Sequence, residues 1–175
     1  MKFSSLAGRM ALVFLLSTTS LAQAADKPTD PQIAHIAYTA GVLDVKAAQQ
    51  ALSISKNDAV REFATNMVTD HTAVNDMALA LVKKLGVTPE DNATSKDLTA
   101  QADAKVAELA KLSGAEFDKA YVANEIAYHK AVNSAVADVL IPSASNAELK
   151  SLLETGLKIF QGHELHAVHV AATLK

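Results

Sequence analysis

The stretch Val60-Arg-Glu-Phe-Ala-Thr-Asn-Met-Val-Thr-Asp-His71, continued through Val74-Asn-Asp-Met-Ala-Leu-Ala-Leu81 to Leu85, decides the fold class. Steps of three and four residues pick out Val60, Ala64, Met67, His71, Val74, Ala78, Leu81 and Leu85, an apolar stripe broken once, by His71. That alternation is the pattern of a helix packed lengthwise against other helices. Asn57 and Asp58 cap its start, and Gly86 with Pro89 shortly after stops it, so the spacing predicts a helix over residues 58–85.

The flanking sequence repeats the pattern. Upstream, Asp30-Pro31 reads as an N-cap followed by proline at the first helical position, opening a helix over about residues 30–55. Downstream, Ser113 with Glu116 and Ser145 with Glu148 read as capping boxes, and Pro142 separates two further helices, about 115–140 and 146–174. Between them Leu98, Ala102, Val106, Leu109 and Leu112 mark a shorter amphipathic helix over about residues 96–112. The order long, long, short, long, long predicts an all-α chain, a four-helix bundle with one long crossover connection containing the short helix.

The first residues read differently. Lys2 and Arg9 precede the apolar run Met10 to Leu16, and Ala22-Gln23-Ala24 follows as a small-residue cleavage site, so residues 1–24 are expected to be a cleavable signal peptide. The remainder, residues 25–175, is expected to form a single domain, periplasmic or secreted. The apolar run is far shorter than the roughly 20 residues needed to span a bilayer, so no membrane insertion is expected after cleavage. The chain has no cysteine, which excludes disulfides, thiolate nucleophiles, iron–sulfur ligation and lipidation at the cleavage site. Net charge is −3, with no basic run or interleaving of basic and aromatic residues, so no nucleic-acid partner is expected.

Each long helix carries a polar interruption on its apolar stripe. The last helix reads Leu149, Leu153, Gly156, Phe160, His163, Ala167, Val170 and Leu174, broken by His163. The third reads Val122, Ile126, His129, Asn133, Val136 and Leu140, with Glu125 one turn before His129 on nearly the same face. The first reads Ile33, Ala37, Ala40, Asp44, Ala47, Ala51 and Ile54, where small residues leave space around Asp44. Asp44, His71, His129 and His163 each lie within roughly three residues, or about 5 Å, of their helix midpoints. Midpoints coincide whichever way helices run, so the four side chains are expected in one layer.

Burying unpaired carboxylates and imidazoles costs several kcal/mol, so such a layer needs a compensating partner. A divalent transition metal is one. Imidazoles with a carboxylate suit zinc, iron, copper, nickel or manganese, and three histidines with one aspartate match tetrahedral zinc by ligand count. The candidate metal residues are His71, His129, His163, Asp44 and Glu125, with Asp70, about 100° round the helix from His71, as a flanking acceptor. The alternative is a metal-free network in which Asp44 pairs with an imidazolium, the others bond to Tyr38, Tyr121 or Tyr128, and the layer sets helix register in a structural or partner-binding envelope protein. His166 and His169 drift off the stripe and read as surface residues. No phosphate loop, nucleophile elbow or His-Glu-x-x-His pair occurs, so no catalytic set is assigned.

The Val60 to His71 segment, Phe117-Asp118-Lys-Ala-Tyr121 running through Glu125 to His129, and the late His163 together resemble the bacterial exported family catalogued as domain of unknown function 4142. The resemblance covers about His35 to Val170 and implies a ferritin-like fold, with metal-site candidates on Asp70, His71, His129 and His163 but no assigned activity. The family commonly has Glu at Asp44 and Pro shortly before the last histidine, where this chain has Phe160. Di-iron carboxylate bundles use two Glu-x-x-His motifs, and this chain has none, which argues against ferroxidase or oxygen-activating chemistry.

Overall fold

The structure, a computed structural model, describes residues 27–174; the signal-peptide reading of residues 1–24 lies outside them. The chain is all-α, with four long helices: α1 (Asp30–Ile54), α2 (Asp58–Leu85), α4 (Gly114–Ala135) and α6 (Ala147–Thr173). The shorter α3 (Ala93–Leu109) precedes α4, and α5 (Ile141–Ser143) is a single turn before α6. No strand occurs among the described residues, and no described helix is long and apolar enough to cross a membrane. α1 packs along α2 and α4 along α6; α2 also packs against α6 and α1 against α4, while α3 lies over α1.

Local chemistry sets these limits, in places differently from the sequence reading. Asp30 is not the cap of α1. Thr29 holds that position, and the Gln32 side chain accepts from the Thr29 N–H. The Asp30 carboxylate reaches across the fold, accepting from the Ser145 N–H and hydroxyl and the Asn146 N–H. The cap of α6 is accordingly Asn146, not Ser145, its side chain accepting from Glu148 and Leu149. Ser113 does cap α4, but without a side-chain hydrogen bond. The crossover helix starts at Ala93, earlier than expected, because Asn92 accepts from the Ser95 N–H, and it ends at Leu109 in tight bonds from Lys111 to Glu108 and Leu112 to Leu109. Gly86, at φ 63, ends α2 in the left-handed region that favours glycine.

The third long helix reaches Leu140, as its stripe requires, but the turn Val136–Leu140 is π-helical, with Ile141 N–H bonded to Val136. Pro142 explains the widening: its ring would meet the carbonyl four residues back in a regular α-helix.

Two apolar clusters fill the interior. Phe63, Met67, Phe117, Tyr121, Val122, Ala167 and Val170 form one. Ile33, Ile36, Val136, Leu140, Leu149 and Leu153 form the other. Along every long helix the polar interruption falls between the residues of these two clusters. The Phe-Asp-x-x-Tyr segment belongs to the first: Phe117 and Tyr121 stack, and buried Asp118 accepts from the Ser55 hydroxyl at the α1–α2 corner.

Asp30 makes a testable pH-dependent contribution. Burial acts upward on its pKa, but the hydrogen bonds from the Ser145 hydroxyl, Ser145 N–H and Asn146 N–H outweigh it and hold the carboxyl below its ordinary 3.8. A lowered folded pKa stabilises above the unfolded value, and that stability fades as pH falls through the folded one. The side chain is largely solvated, so Asp30→Asn is expected to cost only about 1 kcal/mol at neutral pH. Urea unfolding of both proteins should show the difference at pH 7 and its loss in acid well below 3.8.

Candidate metal centre

Four helices each bring one imidazole or carboxylate to the layer between the two apolar clusters. Asp44 comes from α1, His71 from α2, His129 from α4 and His163 from α6, with 2, 3, 1 and 6 % of their surfaces exposed. Glu125 lies one helical turn before His129 and is equally buried. Nε2 of His71 is 2.9 Å from Asp44 Oδ2, and Nε2 of His129 is 3.2 Å from the same oxygen. His71, His129 and His163 each offer a nitrogen within 4.8 Å of the others, and Asp44, Glu125 and His129 form a second, overlapping group within the same limit. Phe160, one turn before His163, stacks flat on the His71 ring at 4.6 Å and 2°.

The outer nitrogens settle which ring atoms face inward. His129 Nδ1 is 3.0 Å from the Glu125 backbone carbonyl, which only accepts, so Nδ1 carries the proton and the neutral ring turns a bare Nε2 toward Asp44. His163 Nε2 is 2.9 Å from Asp70 Oδ2 and donates to that carboxylate, leaving its buried Nδ1 unpartnered. Asp70, adjacent in sequence to His71 but turned toward α6, thus meets His163 rather than His71.

Electrostatics keep these forms at neutral pH. Burial, the largest influence on both rings, holds His129 below the ordinary imidazole value and brings His163 down to about 4. Burial and then the nearby Asp44 carboxylate push Glu125 well above the ordinary carboxylate range, which favours its protonated form. On Asp44 burial also acts upward, but the adjoining His71 and His129 rings and the neighbouring Glu125 bring its pKa below the ordinary value. The layer therefore presents one carboxylate, one carboxylic acid and at least two imidazole lone pairs.

The remaining candidates lie outside this group. The Tyr128 hydroxyl donates to the Ala40 carbonyl, and the buried Tyr121 hydroxyl has no partner among the described residues; neither bonds to a histidine. His169 is exposed, whereas His166 is half-buried and packs edge-on against Phe63, a core contact that its drift off the stripe did not suggest. Of two residues flanking the layer, one escaped the sequence reading and the other was read only as part of its helix's stripe. Asn75 lies against Gly41, where a Cβ would meet its Oδ1 at 2.3 Å, so a glycine in mid-helix was the available signal. Asn133 donates to Glu164 across the α4–α6 seam, and its place on the α4 stripe marked its burial but not its partner.

Fold and layer together define an all-helical protein with a buried histidine and carboxylate centre. The chain belongs to the family described as a domain of unknown function, DUF4142, which matches residues 16–170. Neither a curated protein nor a solved structure shows a significant match.

Proposed function

We propose that this is an exported protein, periplasmic or secreted, that binds one divalent transition metal on His71, His129, His163 and Asp44, in envelope metal handling or stress tolerance. The observation that carries the reading is the pair of inward lone pairs: His129 and His163 are each anchored through the outer nitrogen, the arrangement by which proteins orient metal-ligating imidazoles. A bare Nε2 facing a carboxylate oxygen at 3.2 Å is repulsive by itself and attractive around a cation. That spacing is close to the roughly 3.3 Å edge of a tetrahedron with bonds of about 2.0–2.1 Å, which favours zinc.

Elemental mass spectrometry of the protein purified from the periplasm without tag or chelator tests this beside His71→Ala. About one equivalent of transition metal in the wild type and none in the variant is expected; a wild type that takes up no metal on dialysis would refute the reading. N-terminal sequencing of the same sample should find residue 25 first, as export with cleavage requires.

Asp70 gives a graded prediction. Asp70→Asn removes the charged acceptor that holds the His163 ring, and loss of such outer partners weakens metal affinity about 10–100-fold. Competition with a chromophoric chelator measures it; an unchanged affinity would remove Asp70 from the centre.

A second reading rests on the 2.9 Å contact of His71 with Asp44, which partners two members of the layer without any ion. In that case the layer sets helix register alone, and His71→Ala lowers the melting temperature by the same amount with and without chelator.

A further inference from the structure

A cavity of about 980 Å³ opens beside the polar layer, at the top of the roughly 300–1,000 Å³ range of small-molecule sites. Its walls come from α1, α2, α3, α4 and α6 and are mainly aliphatic, with Leu43, Leu81, Leu98, Val132 and Leu153 among them. The volume follows from the sequence: Ala37, Ala40, Ala47, Ala78 and Ala102 face it where larger residues would fill it. This is why Val74, Ala78 and Leu81, apolar positions on the α2 stripe, stay only half-buried.

The two ends differ. Lys27 and Gln101, both exposed, mark the solvent rim, and Asp44 and Glu125, at 2 and 1 % exposure, line the buried end. Asp44 Oδ1 and Glu125 Oε2 are buried there without a hydrogen-bond partner. An unpartnered oxygen on each of Asp44 and Glu125, at the end of an aliphatic chamber, defines what fits: an apolar body whose head can donate a hydrogen bond to the Asp44 carboxylate and accept one from the Glu125 acid.

We propose that the cavity binds a long-chain aliphatic amphiphile with an uncharged hydroxyl head, oriented head inward against Asp44 and Glu125 with its chain along the aliphatic walls. A carboxylate head is repelled by Asp44. A quaternary ammonium head offers no donor to either oxygen and would have to shed its water to enter the buried end. The head contacts Asp44 and Glu125 are shared with the metal reading but the aliphatic walls are not, so substitutions in the walls separate the two.

Isothermal titration of the purified protein with 1-dodecanol, dodecanoate and dodecyltrimethylammonium, each below its aggregation limit, tests the orientation. One equivalent of dodecanol should bind at least tenfold tighter than either of the others. Ala102→Phe on α3 and Ala78→Phe on α2 each place a ring in the chamber away from the polar layer, and each should weaken dodecanol at least tenfold. Their metal content, measured in parallel, should equal wild type, so that failure of the cavity and failure of the metal centre are separated. No dodecanol binding, or affinity unchanged in whichever variants keep wild-type helicity, overturns the site. Dodecanoate or dodecyltrimethylammonium binding as tightly as dodecanol overturns the inward hydroxyl.

Discussion

Asp44→Asn is expected to weaken metal binding at least a thousandfold while leaving the side-chain volume in place. Asp44 is the centre carboxylate directed at two imidazoles, while burial and the Asp44 charge favour the uncharged form of Glu125 beside it. Two unit charges about 4 Å apart attract by about 4 kcal/mol at an effective dielectric of about 20, and a direct ligand lies closer to a doubly charged ion than that. About 4 kcal/mol is a factor of about a thousand in Kd. Chelator competition on the variant and wild type measures the change. A shift of less than threefold would mean that the three imidazoles hold the ion with water, and that Asp44 merely borders it.

Phe63→Ala should have the largest effect on stability. Phe63 is fully buried on α2, meets Tyr121 of α4 edge-on at 6.2 Å and His166 of α6 at 5.2 Å, and so joins three helices. Removing a buried phenyl ring costs about 3–5 kcal/mol, from lost transfer energy and from the void left among neighbours that cannot all collapse. For a chain of this size that corresponds to a fall in Tm of about 6–20 °C. Thermal melts followed by circular dichroism in chelator isolate the effect from any metal. A fall under about 2 °C would show that this end of the interior repacks freely.

The reach of the sequence can be judged on these residues. On α6, Leu149, Leu153, Gly156, His163, Ala167 and Val170 are all buried as the stripe places them, because a helix packed on both sides along its length has one consistent inward face. On α2 the stripe holds only as far as His71. Beyond it Asn75 is the buried residue, seated against Gly41 of α1, while Val74, Ala78 and Leu81 of the stripe face the cavity instead of a packed neighbour. The mid-helix positions of Asp44, His71, His129 and His163 were enough to predict their shared layer, as helix midpoints do not depend on topology. The long-range partners were not legible. Asp30 with Ser145 and Asp70 with His163 are separated by 115 and 93 residues, and no local period encodes such a pairing. The π turn before Pro142 was also hidden, because proline announces that a helix must yield but not whether it stops or widens.

Each long helix contributes one member of the centre, and the chain has no cysteine. A bound ion would therefore act as the covalent staple this sequence lacks, closing loops between residues 44 and 163 and releasing them when a competing chelator takes the ion away. Its stabilisation grows with the free metal concentration relative to Kd, so the lifetime of the folded chain would follow the metal supply of its compartment. If the centre holds an ion, taking it away would lower the stability of the fold and leave the chain easier for proteases to cut.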